Sequence, residues 1–458
     1  MHIVKICSDL ETPVSLFLKT CAGKEYCFLL ESTEKEASFG RYSFIGLGAK
    51  EVISLDQQGK VFSAGKEIEF RGMPLQAVYN RLKEYRLNVN DPDLPSFIGG
   101  AVGYVGYDYV RFLENIDIKK SKFPCFQFMI PESLIVFDHM KNQIAVISDR
   151  PEEIVSDLVQ PGVKTRPKKV LTTEPVSNFS REEFYRAVKT IKKHIVEGDI
   201  FQAVLSQRFR FRTSLDHFSI YRALRMINPS PYMFFQKFRE FSLVGSSPEM
   251  MVKLDNQECF LKPIAGTRKR GKTIDEDLSL EKEMLSDEKE KAEHMMLLDL
   301  GRNDLGKVCR GGSVAVTEQM SVERFSHVMH MVSKISGRID QKKNAVDLFE
   351  SAFPAGTVSG APKVRAMEII NSLESDSRGP YGGAVVYFSA PCRGSSVCMD
   401  SGIMIRSFFF KGQEGFLQAG AGIVYDSVPE LEYKEIINKA GALLRSLELA
   451  EKIEGGLI

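Results

Sequence analysis

The first third of the chain carries its apolar residues in short runs and alternations separated by polar turns, a pattern of strands. Tyr26–Leu30 is an unbroken apolar run, read as a buried strand ending at Glu31 and Ser32. Arg41–Ile45 and Val52–Leu55 read as further strands, with a hairpin turn at Asp56–Lys60. Helical spacing first appears over Pro74–Tyr85, where Leu75, Val78, Tyr79 and Leu82 share a face. Phe97–Asp108 is rich in glycine but has no GxGxxG followed by an amphipathic helix, so it predicts close backbone packing rather than a dinucleotide loop. Residues 148–178, with Pro151, Pro161, Pro167 and Pro175 and a Lys168-Lys169 step, read as a connector. Ser180-Arg-Glu-Glu183 then opens a helix with a capping box, its core face Phe184, Ala187, Val188, Ile191 and Ile195, and Gly198 ends it. Strands and helices alternate thereafter without a repeat period. The expected organisation is 1–147, a connector over 148–178, and a main body over 179–453.

Two acidic stretches lie within that body. If helical, Glu290 and Glu293 share a face with Leu297 and Leu300, and Glu432 and Glu435 share one with Ile436 and Leu443. Each pair then stands about 5–6 Å apart at Cβ and repels by about 3 kcal/mol at an effective dielectric near 20. A cation between them relieves that repulsion, and an all-oxygen site suits Mg²⁺. Spacing alone equally describes a solvated charged face, with Glu435 and Lys439 an ordinary i,i+4 pair.

Composition narrows the partner. At 458 residues with 43% hydrophobic and 26% charged residues, the chain has the make-up of a soluble globular protein. Its net charge of +1 provides no global field for nucleic acid or an anionic membrane. The eight cysteines form no CxxC, the N-terminus has no apolar signal core and no run approaches a membrane span, so a cytoplasmic location is expected.

Across 180–450 the segments Asn228–Met233, Gly245–Glu249, Pro263–Arg268, Leu298–Gly306, Phe325–Ser333, Phe353–Lys363, Gly379–Ala384 and Gln418–Ile423, in that order, resemble the chorismate-utilising enzymes. Among these the likeness is strongest to the large, synthase components of anthranilate synthase; the N-terminal half matches more loosely. The resemblance implies an α+β fold of two large, mostly antiparallel sheets packed face to face with helices outside. It implies Mg²⁺ on Glu290, Glu293, Glu432 and Glu435, holding the ring carboxylate of chorismate. It makes Glu249 the acid that protonates the departing C4 hydroxyl, which requires a raised pKa beside Met250 and Met251. It places Tyr381 and Arg406 at the enolpyruvyl end, Arg406 on a strand Ile403–Phe408. It places Thr267, Thr357, Lys439 and the backbone of Gly420, Ala421 and Gly422 against the substrate, and gives His330 a part in pyruvate loss. On an extended strand His327 and His330 point to opposite faces, which disfavours a metal pair. His294 is expected to support the metal carboxylates.

Two positions discriminate among relatives. Isochorismate and salicylate synthases carry a water-activating Lys where this chain has Gln202, and aminodeoxychorismate synthases a nucleophilic Lys where it has Ala265. Neither lysine is present, and Lys262 points away if Leu261–Ile264 is extended. The expected reaction is therefore amination at C2 by ammonia, giving anthranilate and pyruvate. No cysteine has a nucleophile-elbow setting, so a separate glutamine amidotransferase subunit is expected to supply ammonia. Leu30, Glu31 and Ser32 with Asn228, Pro229, Ser230, Pro231, Tyr232 and Met233 resemble the family's tryptophan inhibitor site, with Glu31 or a nearby carbonyl taking the ammonium. The alternatives are an aminodeoxychorismate synthase and a catalytically inactive tryptophan-binding subunit.

Overall fold

The computed structural model describes residues 1–32, 40–85, 91, 93–159, 170–324, 328–391 and 397–456. His327, part of Phe325–Ser333 and the middle of the 148–178 segment lie outside the described residues.

Two twelve-stranded sheets carry the fold, and every described pairing in them is antiparallel. Each sheet is assembled from both halves of the chain. In the first, Cys27–Glu31 pairs with Tyr232–Phe238 through Met233↔Glu31. In the second, Gly100–Val105 pairs with Ala384–Ser389 through Ala384↔Val105. The expected N-terminal and C-terminal units are thus joined by continuous hydrogen-bonded ladders. The glycines of the 97–108 segment serve these ladders: a Cβ on Gly103 would stand 2.0 Å from Gln127 O, and one on Gly100 2.1 Å from Phe388 O.

The layers follow from strand alternation. Phe28, Phe234, Phe241 and Phe409 of the first sheet meet Val102, Tyr104, Met129 and Val385 of the second in a core between the sheets. The opposite face of the first sheet, with Leu29, Leu205 and Ala421, is covered by the helices Arg181–Val196, His217–Ile227 and Pro429–Glu454. Helices Gln76–Glu84, Glu288–Gly306 and Ala345–Ala352 cover the outer face of the second. Helices therefore lie outside, as expected. Ser180 caps Arg181–Val196 with the reciprocal Glu183 bond of a capping box.

The connector differs from expectation. It contains the helix Pro151–Val159 and the strand Val176–Ser177. Pro151 opens that helix, where a missing N–H costs nothing, and Ile154, Val155 and Leu158 pack onto the first core. No helix among the described residues is long and apolar enough to cross a membrane.

Candidate active site

Two of the points at which the chain passes from one sheet to the other are neighbours. Phe241–Ser247 belongs to the first sheet and Met250–Asp255 to the second, and Glu249 lies in the crossing. Met399–Ile403 belongs to the second sheet and Ser407–Lys411 to the first, and Arg406 lies in that crossing. Backbone bonds tie the two crossings: Ile403 N–H donates to Glu249 O at 3.0 Å and Ser246 N–H to Arg406 O at 3.2 Å. The expectation of one strand over Ile403–Phe408 is corrected here. Arg406 has φ +51°, a conformation costing a non-glycine residue about 1–2 kcal/mol, because the backbone must turn between sheets.

Glu249 is 9% exposed among Met250, Met251 and Thr357, beside a cavity of ≈ 50 Å³. Burial pushes its carboxyl up to about 8, opposed by Thr357 and by the charge of Arg406. Arg406 also acts on His330, so one cation reaches both groups. His330 pairs with Thr267 across adjacent strands, its Nδ1 2.9 Å from Thr267 Oγ1 and 3.2 Å from Gly266 O. A carbonyl only accepts, so Nδ1 carries the proton and Nε2 is the accepting nitrogen. Burial holds the ring's pKa below its ordinary value, keeping it neutral.

The acidic pairs are carried by helices, as their spacing predicts. Asp287 caps Glu288–Gly306, accepting the N–H of Lys289 and Glu290, and Leu297 is buried on the same stripe. Pro429 opens Pro429–Glu454, in which Ile436 and Leu443 are buried. Burial raises the Glu293 carboxyl, and Glu290 and, across the two helices, Glu435 raise it further. Burial also raises Glu432, with Glu435 adding to it. Glu290 Oε1 accepts from Arg268 Nη1 at 2.6 Å, while its Oε2 is buried with no hydrogen-bond partner. Glu435 pairs with Lys439 at 2.6 Å.

The four carboxylates stand as an open set. Among the described residues the one trio of His, Cys, Asp or Glu donors drawn within 4.8 Å of one another is His194, Glu197 and Asp199, and there Asp199 is engaged by Arg365. An orphaned buried oxygen on Glu290 and mutual repulsion at Glu293 are nonetheless what a hard divalent cation relieves, so the donor set fits Mg²⁺. His294 is corrected: it is fully buried and its Nε2 meets Ser333 Oγ at 2.6 Å rather than any of these carboxylates.

Opposite the acids runs Glu414–Ile423, paired with Gln202–Arg212. Ser206 N–H donates to Glu374 and Val204 N–H to Ser359 O, so both turn away from Glu414–Ile423. Their partners Gly420 and Gly422 must then aim N–H and C=O the other way, toward the open edge beyond Leu417. Lys439 Nζ stands there, 2.9 Å from Gly420 O. Ala421 is corrected: it faces Leu205 in a hydrogen-bonded pair and its methyl is in the helix-side core. Gln202 is buried beside Gly422, its amide draws the Glu293 carboxyl downward, and its Oε1 has no partner.

The sequence reading missed the buried ion pair beneath this wall. Arg378 bonds Glu374 at 2.7 Å, Val358 O at 2.6 Å and Val204 O at 2.6 Å, bracing the Thr357 turn against the Gln202 strand. The available signal was an i,i+4 Glu/Arg spacing. Arg268, on Glu290, was missed likewise.

A second cavity, of ≈ 340 Å³, lies on the far side of Met250 and is lined by Leu30, Glu31, Ser32, Pro231, Tyr232 and Met233. Asn228, Pro229 and Ser230 do not line it; Asn228 and Ser230 bond Ser246 and hold the turn. The ammonium role of the Glu31 side chain is corrected. Glu31 shares strand parity with Leu29, which faces the helices, so its carboxylate is taken by Tyr221 and by Arg225 at 3.1 Å. Asp255 and Asp400 are the carboxylates at this cavity, Asp400 accepting from Tyr232 Oη at 2.9 Å.

The chain matches the chorismate binding enzyme family over residues 25–445. It is 45% identical to "Anthranilate synthase component 1" of Acetivibrio thermocellus, covering 98% of this chain and 95% of that protein. The protein of the same name from Aquifex aeolicus is 42% identical, over 97% and 94%. The crystal structure of anthranilate synthase component I from Streptococcus pneumoniae superposes with a TM-score of 0.79 at 37% identity, over 90% and 94% of the two chains. MenF, the menaquinone-specific isochorismate synthase of Escherichia coli, shares the fold at a TM-score of 0.74 and 19% identity, over 97% and 94%.

Proposed function

The chain belongs to the chorismate binding enzyme family, and on that premise we propose that it converts chorismate and ammonia to anthranilate and pyruvate. The observation that carries the choice of nucleophile is the side chain at two positions. Gln202 and Ala265 stand where the hydrating and covalent relatives use lysine, and the nearby Lys262 ammonium is 2.7 Å from Glu323. Ammonia in its neutral form needs neither base nor covalent help.

Glu249, protonated at neutral pH, gives its proton to the C4 oxygen, which leaves as water as the C2–N bond forms and the ring double bonds shift. Arg406 and Tyr381 hold the enolpyruvyl group, and the neutral His330, oriented through Nδ1 by Gly266 and Thr267, attends its departure. Loss of the C2 proton and cleavage of the C3–O bond release pyruvate and leave the aromatic ring. Glu290, Glu293, Glu432 and Glu435 would hold Mg²⁺, which when bound neutralises the ring carboxylate. The outward N–H groups of Gly420 and Gly422 and the Lys439 ammonium bind the same end.

A separate glutamine amidotransferase subunit would deliver the ammonia, and tryptophan would bind between the sheets as feedback inhibitor. A cavity of ≈ 340 Å³ walled by Phe44, Phe97 and Tyr387 suits an indole, and Asp400 or a strand carbonyl the ammonium.

Purified chain mixed with chorismate, MgCl₂ and an ammonium salt at alkaline pH is expected to produce anthranilate fluorescence that needs Mg²⁺ and that tryptophan suppresses. Chorismate loss without anthranilate would assign a sister reaction, and no loss would leave a binding subunit. Gly420→Ala tests the glycine wall: its Cβ would stand 2.7 Å from Tyr381 Oη. That contact should displace the tyrosine and raise KM for chorismate about tenfold, the equivalent of about 1.4 kcal/mol.

A further inference from the structure

The cavity between the sheets and the small cavity beside Glu249 share a wall. Among the described residues, Met250 and Lys262 line both. They differ in freedom. Lys262 is 9% exposed and its Nζ is held by Glu323 at 2.7 Å. Met250 is bonded directly to Glu249, at an irregularity in strand register between Met250 and Val252. Its side chain is long, with a soft thioether, so it spans the wall between the cavities and can change rotamer. Behind it, the ≈ 50 Å³ beside Glu249 is space that a displaced side chain can enter. The Thr357 hydroxyl and the Arg406 charge both oppose the upward shift of the Glu249 carboxyl, and Thr357 Oγ1 is buried with no hydrogen-bond partner, so no formed bond locks the carboxyl in place there.

We propose that Met250, backed by the anchored Lys262, transmits occupancy of the between-sheet cavity to the catalytic acid. An indole seated there drives the Met250 side chain into the small cavity and turns the Glu249 carboxyl away from Thr357 and Arg406. The inhibitor thereby acts on the position of the acid without touching the substrate. This inference rests on the tryptophan reading above. A ligand shifts an equilibrium only by its differential affinity for two arrangements, and here the arrangements differ in which cavity Met250 fills.

The chain has no tryptophan of its own, so the emission of bound tryptophan can be read directly on the full-length protein. Binding and inhibition of anthranilate formation are measured on the same samples. In the wild type the two midpoints should coincide, and saturating tryptophan should stop turnover. In Met250→Ala, tryptophan should still bind within about fivefold, while saturating tryptophan leaves about half or more of that variant's own uninhibited rate. Met250→Leu, which keeps the bulk, should restore inhibition. If the alanine variant does not fold, Met250→Val, which shortens the arm without emptying the site, reports the same quantity. Complete inhibition of either shortened variant at saturation overturns transmission through Met250 while leaving the inhibitor site intact. Failure of the wild type to bind tryptophan overturns the site reading itself, and this inference with it.

Discussion

Glu249→Gln is expected to lower turnover by about 10²–10⁴-fold, the range a positioned general acid supplies. Chorismate binding should persist, because an amide keeps the shape of the carboxyl and loses only the transferable proton. The same substitution should raise the melting temperature at neutral pH. A carboxyl whose pKa is about 8 when folded and about 4.5 when unfolded favours folding in its protonated form. That contribution is complete below pH 4.5 and is lost as the pH rises to 8. At pH 7 the loss is on the order of 3 kcal/mol, and glutamine, which does not titrate, avoids it. Thermal melts of both proteins at pH 4.5 and pH 7.5 check this. The two should differ little at the lower pH, and the variant should melt higher at the upper one. Equal separation at both pH values would mean that Glu249 is ionised in the fold. The wild-type rate, expressed per concentration of neutral NH₃, should correspondingly fall above pH 8.

Removing Mg²⁺ is expected to abolish turnover, and a stability measurement should report the ion independently of activity. Saturating MgCl₂ at a hundred times its Kd should stabilise the wild type by about 2.7 kcal/mol. Glu293→Gln should reverse the pattern. The Glu293 carboxylate is partly buried near Glu290 and Glu435, so its neutral replacement should melt higher than the wild type without Mg²⁺. With a donor charge gone, the upward shift on adding Mg²⁺ should shrink or vanish. A variant that keeps the full Mg²⁺ shift would place the ion elsewhere; calorimetric titration of MgCl₂ into both proteins decides the point.

Several features were legible without coordinates because they depend on neighbours along the chain. The three-residue spacing of Glu290/Glu293 and Glu432/Glu435, with Leu297 and Ile436 on the same stripes, puts the acids at helix edges whatever surrounds them. Ser180 and Glu183 specify a helix start through bonds within one turn. The alternation of Gln202, Val204 and Ser206 against Ala203 and Leu205 separates the cleft face from the helix face. Parity would also have corrected Glu31: it shares a face with Leu29, not with Leu30, and that alone turns its carboxylate toward the helices.

The sequence by itself thus determined the strand and helix faces and the placing of the acidic pairs on helices, because each is set by local period. Only the tertiary structure decided where the chain leaves one sheet for the other. Ile403–Phe408 alternates like a single strand, yet its two ends pair with different sheets, so the backbone must turn at Arg406. Glu249 sits in the adjoining turn for the same reason, and burial there sets its pKa. The direction of the Gly420 and Gly422 N–H groups depends on which bonds Val204 and Ser206 make with Ser359 and Glu374, more than 150 residues away. The two cavities have a common wall only because the fold brings Met250 and Lys262 to the lining of both. Such features arise from long-range pairing and desolvation, which no local pattern of residues encodes.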